Sequence, residues 1–163
     1  MKNVIIWDLD GTLSDGTHRI HLLPTKDYGN TKSWEAFNLA SGDDAPFQDN
    51  IELMNSLRHC GYDIVILTGR SDIAREITEK WLADHGCQYD ALIMRPFDDH
   101  RRDIDFKREE LEAIGIDNIL CAFDDAEHVV KFMRSLGITC HQVTHYEIKH
   151  AHVKSHEENE GEA

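Results

Sequence analysis

Apolar residues in this chain come in short blocks whose period alternates between that of a strand and that of a helix. Val4-Ile5-Ile6-Trp7 is an unbroken apolar run, the pattern of a strand buried on both faces, and it places a first strand over 3–8. Phe47, Ile51, Met54 and Leu57 recur at helical spacing, and Pro46 suits the first turn of that helix. A second apolar run gives a strand over 63–67 that ends at Thr68-Gly69-Arg70. Ser71 is placed to cap the next helix, whose apolar face reads as Ile73, Ile77 and Trp81 and which stops at Gly86. A short third strand over 91–94, a charged loop from Arg95 to Arg102 and a helix over about 103–114, closed by Gly115, follow. Residues 118–123 read as a fourth strand. Val129, Val130, Met133 and Leu136 mark the core face of a last helix, ended by Gly137, and 139–143 supplies a fifth strand.

This alternation predicts a parallel sheet covered by helices on both faces. Two stretches depart from it. Residues 14–45 are polar and irregular, with Gly16, Pro24, Gly29 and Gly42, and exceed an ordinary βα loop, so the segment is expected to be functional or mobile. From Glu147 onward the chain is rich in His and Glu; 147–163 is expected to be a disordered tail that adds nothing to catalysis. The histidines from His141 onward resemble a metal-binding tract, but their irregular spacing favours an exposed tail. The expected domain is therefore 1–146.

The chain's 163 residues suffice for one domain with a full core and leave little room for a second. No run approaches the ~20 apolar residues of a membrane span. Met1-Lys2-Asn3 leads straight into the first strand, so no signal peptide is expected and the expected compartment is the cytoplasm. Cys60, Cys87, Cys121 and Cys140 are widely spaced, with no CxxC pair, and are expected as buried free thiols. A net charge of −14 argues against electrostatic wrapping of a polynucleotide. It leaves room for one phosphorylated end, where a bound metal ion and a few local cations can set the field.

The candidate chemistry sits at the strand ends. Asp8 and Asp10 follow the first strand, with Gly11 breaking it; Thr68 ends the second, and Asp124-Asp125 ends the fourth. In an open α/β sheet those carboxyl ends face one crevice. Carboxylates two residues apart repel each other, so their pairing calls for a metal or a reaction. Taken singly, each group has a plainer reading. Asp124 and Asp125 suit simple N-capping, Lys107 a solvated helix lysine, and Arg19 and Arg70 structural ion pairs. Arg95, Arg101 and Arg102 form a basic patch, either a solvated loop or a contact to backbone phosphate. Trp34 and Phe37 could stack on a base or form the small core of a mini-cap.

Together these residues carry a resemblance. DLDGT at 8–12, LTGR at 67–70, Lys107 and FDDA at 123–126 stand in the order of the four motifs of haloacid-dehalogenase (HAD) superfamily phosphatases, and the likeness covers roughly 3–145. It implies a three-layer α/β, Rossmann-like fold, with a central parallel sheet in the order 5-4-1-2-3 and a minimal cap formed by 14–45. It also implies Asp8 as nucleophile, Asp10 as acid and base, and Thr68 and Lys107, with backbone N–H groups after Asp8, as phosphoryl ligands. Mg²⁺ would be held by Asp8, the backbone carbonyl of Asp10, Asp124 and Asp125. Trp7 stands where the family more often has Phe.

A narrower likeness joins DLDGTLSDGTHR (8–19), RRDIDFKREEL (101–111) and FDDAEHVVKFMRSLGITCHQV (123–143) to the 3′-phosphatase domain of phage polynucleotide kinase. It adds Arg19, Gly69, Arg70 and Asp103 as substrate-binding candidates, with Asp103 orienting Lys107. No GxxxxGK[ST] kinase loop occurs, so this chain is expected only to remove phosphate. The expectation is Mg²⁺-dependent hydrolysis of a 3′-phosphate on a nucleic-acid end or nucleotide. The alternatives are a nucleotidase acting on nucleoside monophosphates and a non-catalytic phosphate-binding protein. The latter would be expected to have lost the nucleophile or the acid–base Asp, and both are present.

Overall fold

A computed structural model describes residues 1–144. The expectations for 147–163 lie outside the described residues. The chain runs β1 (Val4–Trp7), β2 (Ser14–Asp15), α1 (Glu35–Leu39), β3 (Ala45–Pro46), α2 (Gln48–His59), β4 (Asp63–Ser71), α3 (Arg75–Asp84), β5 (Ala91–Arg95), α4 (Asp103–Ile114), β6 (Ile119–Asp124), α5 (Glu127–Ser135) and β7 (Cys140–Gln142), with 3-10 turns between several of them. Five strands pair in parallel in the order β5-β4-β1-β6-β7, which, with the two ribbon strands left out of the count, is the order that the resemblance implies.

β1 is central, which explains its unbroken apolar run. Ile6 points into one core with Leu67, Phe106, Ala122, Val129 and Met133, beneath α4 and α5. Ile5 and Trp7 point into the other with Ile51, Met54, Ile64, Ile66 and Trp81, beneath α2 and α3. Successive residues therefore bury themselves against opposite helix layers.

Three local readings differ from expectation. Pro46 pairs with Ser14 in the two-stranded ribbon β2–β3, and α2 starts at Gln48. A ribbon edge tolerates a residue without an N–H. The face of α3 is turned: Ala74, Thr78, Trp81 and Leu82 are buried, while Ile73 is exposed. A 3-10 turn over Asp72–Ala74 precedes the α-helix and shifts the phase, with Ser71 capping that turn. Cys60 is exposed at the end of α2, whereas Cys121 and Cys140 are buried; all four thiols are free.

The 14–45 segment is tied to the rest of the fold at its ends and along its length. The ribbon closes it, Trp81 Nε1–H donates to the Asp44 carbonyl at 2.8 Å, and Thr31 meets the loop after β5. There the Thr31 backbone N–H donates to His100 Nδ1 at 3.1 Å, and its hydroxyl donates to the Phe97 carbonyl.

Candidate active site

Strand register builds the site. Trp7 is level with Ile66 on β4 and Phe123 on β6. Asp8 and Asp124 therefore emerge side by side at the carboxyl edge, with Thr68 one position beyond on β4. The Asp8 N–H still donates to the Phe123 carbonyl at 3.0 Å, so the residue is held by the sheet it leaves. Gly11 then turns the chain at φ +82°, and a Cβ there would lie 2.1 Å from Asp125 Oδ2. The close approach of the two loops requires glycine.

Lys107 reaches the same point from α4. Its buried ammonium lies 3.4 Å from Asp8 Oδ1, 3.3 Å from Asp124 Oδ2 and 3.4 Å from Asp103 Oδ2, one helical turn back. Burial alone would lower its pKa, but Asp103, Asp124 and Asp8 together hold it well above its ordinary value. For Asp8 the order of causes is burial, then Asp124; they push its carboxyl well up against the pull of Lys107. Asp124 is raised too, again chiefly by burial.

Asp8, Asp124 and Asp125 offer oxygens within 4.8 Å of one another, a group able to hold a cation. The donors are all hard oxygens, which fits Mg²⁺. Charge fits as well. Among the described residues, Asp8, Asp10, Asp44, Asp103, Asp124 and Asp125 face Arg19, Arg70, Arg95 and Lys107, an excess of two negative charges. Asp125 does not cap α5, whose N-cap residue is Ala126. One Asp124 oxygen instead accepts the Ala126 N–H at 2.9 Å, which aims the other at Lys107.

Asp10 has a different environment. Its side chain is 27% exposed to the cleft, and Oδ1 accepts from Arg19 Nη2 at 2.5 Å and Arg70 Nη2 at 2.6 Å. Burial would raise it, yet the Arg70 and Arg19 guanidiniums hold its carboxyl well below the usual carboxylate range. Arg19 also grips Asp44 through Nε at 2.8 Å and Nη2 at 2.7 Å, and donates to the Phe37 carbonyl at 3.0 Å. Asp10 is thus the exposed end of a buried ionic chain.

Asp8, Asp10, Thr68, Gly69, Arg70, Asp103, Lys107, Asp124 and Asp125 all line one cleft of about 640 Å³ including its mouth. Trp34, Phe37, Ala126 and Val129 complete its wall. Arg19, fully buried, stands behind Asp10. Gly69 serves a close approach, since a Cβ there would lie 2.2 Å from Asp103 Oδ1. The Thr68 hydroxyl accepts the Arg70 N–H at 3.0 Å.

Two further participants escaped the sequence reading. Asp44 sits in the irregular segment, where no spacing marks it. Arg95, read as part of a basic patch, is fully buried: it donates to Asp103 Oδ1 at 3.1 Å and to the carbonyls of Gly69 (3.2 Å) and Arg101 (2.6 Å). The rest of that patch is also neutralised, Arg101 by Asp99 and Glu109, Arg102 by Asp105. An arginine ending a strand carries no sign in the sequence of whether it turns outward or under the loop.

Comparison with known proteins adds a family. Residues 2–147 match the family model for the phosphatase domain of polynucleotide kinase PNKP. No curated protein matches the sequence significantly. Among solved structures, a chain of the Pnkp1/Rnl/Hen1 RNA repair complex is 27% identical, with a TM-score of 0.70 over 91% of this chain and 44% of that one. A second Pnkp1/Rnl/Hen1 structure is 26% identical, with a TM-score of 0.69 over 90% and 48%. This chain therefore spans under half the length of those neighbours. The L-2-haloacid dehalogenase of Xanthobacter autotrophicus, 14% identical with a TM-score of 0.65 over 91% and 80%, shares the fold.

Proposed function

Because the chain belongs to the family of polynucleotide kinase PNKP phosphatase domains, we propose that it hydrolyses a 3′-phosphate from a nucleic-acid end or nucleotide through a phosphorylated Asp8. The observation that carries this reading is the placement of Asp8 beside Lys107, Asp124 and Asp125, with Asp10 reaching the same cleft.

Asp8 attacks phosphorus, and the bond to the ester oxygen breaks. Asp10, kept ionised by Arg19 and Arg70 in the free site, takes up the proton that the substrate's phosphate monoanion brings and passes it to that oxygen as it leaves; it then takes one from the water that attacks the phosphoaspartate, which restores Asp8 and releases phosphate. Asp8, Asp124 and Asp125, with the Asp10 carbonyl, would hold Mg²⁺, which would neutralise charge where carboxylate and phosphate meet. Lys107 and Thr68 hold the phosphoryl oxygens, and Asp103 keeps the ammonium in place. Arg19 and Arg70 position Asp10 through the short bonds described above, and Asp44 anchors both. The 14–45 segment acts as a small cap.

The test is phosphate release from a 3′-phosphorylated oligonucleotide and from 3′- and 5′-mononucleotides, with and without Mg²⁺, and with Asp8→Asn as control. Turnover of the 3′-phosphates that needs Mg²⁺ and is lost in Asp8→Asn supports the reading. Turnover confined to 5′-mononucleotides, or unaffected by Asp8→Asn, overturns it.

A further inference from the structure

The cleft has an apolar side that phosphoryl transfer does not use. Trp34 and Phe37 of the 14–45 segment line it together with Ala126 and Val129, around the start of α5. Both aromatic rings are held rigidly. Trp34 Nε1–H donates to the Tyr28 carbonyl at 2.8 Å, and the two rings meet edge to face with centroids 6.0 Å apart. Phe37 is also covered by the Arg19 guanidinium, 4.1 Å from its centroid. Trp34 is only 4% exposed and Phe37 3%, so what they present to the cleft is a narrow preformed edge.

A phosphate ion alone has no use for such an edge. A leaving group with a flat, partly apolar body does, and contact with a rigid wall costs little ordering on the protein side. The arginines that would track a polyanion away from the site are occupied: Arg95 by Asp103, Arg101 by Asp99 and Glu109, Arg102 by Asp105. From this juxtaposition we infer that Trp34, with Phe37 and Val129, forms a subsite for the single nucleoside that carries the scissile phosphate, and that recognition ends there. The inference rests on the proposed phosphatase reaction and narrows its substrate to the terminal nucleotide.

The test compares kcat/KM for a nucleoside 3′-phosphate, for the same nucleotide at the end of longer oligonucleotides, and for glycerol phosphate. The nucleoside ester should exceed glycerol phosphate by about tenfold or more, the worth of roughly 1.4 kcal/mol of apolar contact. Lengthening the oligonucleotide should change kcat/KM less than about threefold, with a shallow salt dependence. In Trp34→Leu the ratio of nucleoside ester to glycerol phosphate should fall about tenfold, and Val129→Thr, which keeps the shape, should lower it in the same direction. An unchanged ratio in both variants overturns the inference, as does a kcat/KM that climbs with oligonucleotide length and collapses with salt; the phosphatase reading survives either result.

A readout without turnover separates the two proposals. Trp7 and Trp81 lie in the core beneath α2 and α3, so a nucleoside 3′-phosphate added to Asp8→Asn should quench the emission of Trp34. Quenching that disappears in Trp34→Phe supports the subsite even if no ester is hydrolysed. Quenching that persists in Trp34→Phe, or none in either protein, overturns it.

Discussion

A single Asp10 oxygen receives two guanidiniums at 2.5 and 2.6 Å, and Arg19 and Arg70 in turn join it to the buried Asp44 of the 14–45 segment. Asp44 closes the chain by accepting Arg19 twice. Removing one partner of a buried ionic group leaves the other uncompensated. Asp44→Asn is therefore expected to cost about 3–5 kcal/mol in chemical denaturation and to lower kcat with it. A variant as stable as the parent would show that Arg19 needs no second carboxylate. Asp8→Asn should instead abolish turnover while folding normally, because it removes the proposed nucleophile and also one of the carboxylates that repel each other there. Asp10→Asn should cost about 10²–10⁴ in kcat, the usual worth of a proton donor and acceptor.

Elements matter here through what their ends allow. The Gly11 turn works because Asp125 can lie against it; Gly11→Ala would push a Cβ to 2.1 Å from Asp125 Oδ2 at a φ that L residues avoid. The expected result is a weakened cation site, read as an increase of about tenfold or more in the Mg²⁺ concentration needed for half-maximal rate, since one proposed ligand carboxylate is displaced. Thr31 ties the outer part of the 14–45 segment to the loop after β5. Thr31→Val, which removes the hydroxyl but keeps the backbone bond, should cost about 1 kcal/mol and speed amide exchange in 17–43 ahead of the sheet.

Across the whole molecule, the excess of buried negative charge should make stability depend on cations and on pH. Mg²⁺ at a hundred times its Kd should stabilise the fold by about 2.7 kcal/mol, raising Tm by about 5–10 °C, and chelation should reverse the gain. Asp10 is held below its unfolded pKa, so its contribution is fully present above about pH 5 and is lost as acid protonates the carboxyl through its lower folded value. Asp8 has the opposite sign. Its raised pKa means that, without a cation, its ionisation weakens the fold as pH climbs from about 4. The Tm gain from Mg²⁺ should accordingly be larger at neutral pH than near pH 5, and an equal gain at both would argue against Asp8 as a ligand.

The alternation of apolar runs determined the sheet, because a strand buried on both faces and an amphipathic helix each carry their period in the residues themselves. The same holds for Asp8, Asp124 and Thr68, which sit where a run of apolar residues ends and must therefore share one edge of a parallel sheet. Periodicity carried no such information for 14–45, whose 3-10 turns and five-residue helix are held by contacts to distant residues such as Trp81 and His100. Nor could it say that Arg95 turns under its loop to grip Asp103, that Asp44 anchors Arg19 and Arg70, or that Arg19 and Arg70 converge on Asp10. Those partners are remote along the chain or unmarked by any period, and a charge shows its partner only once the tertiary structure removes it from water.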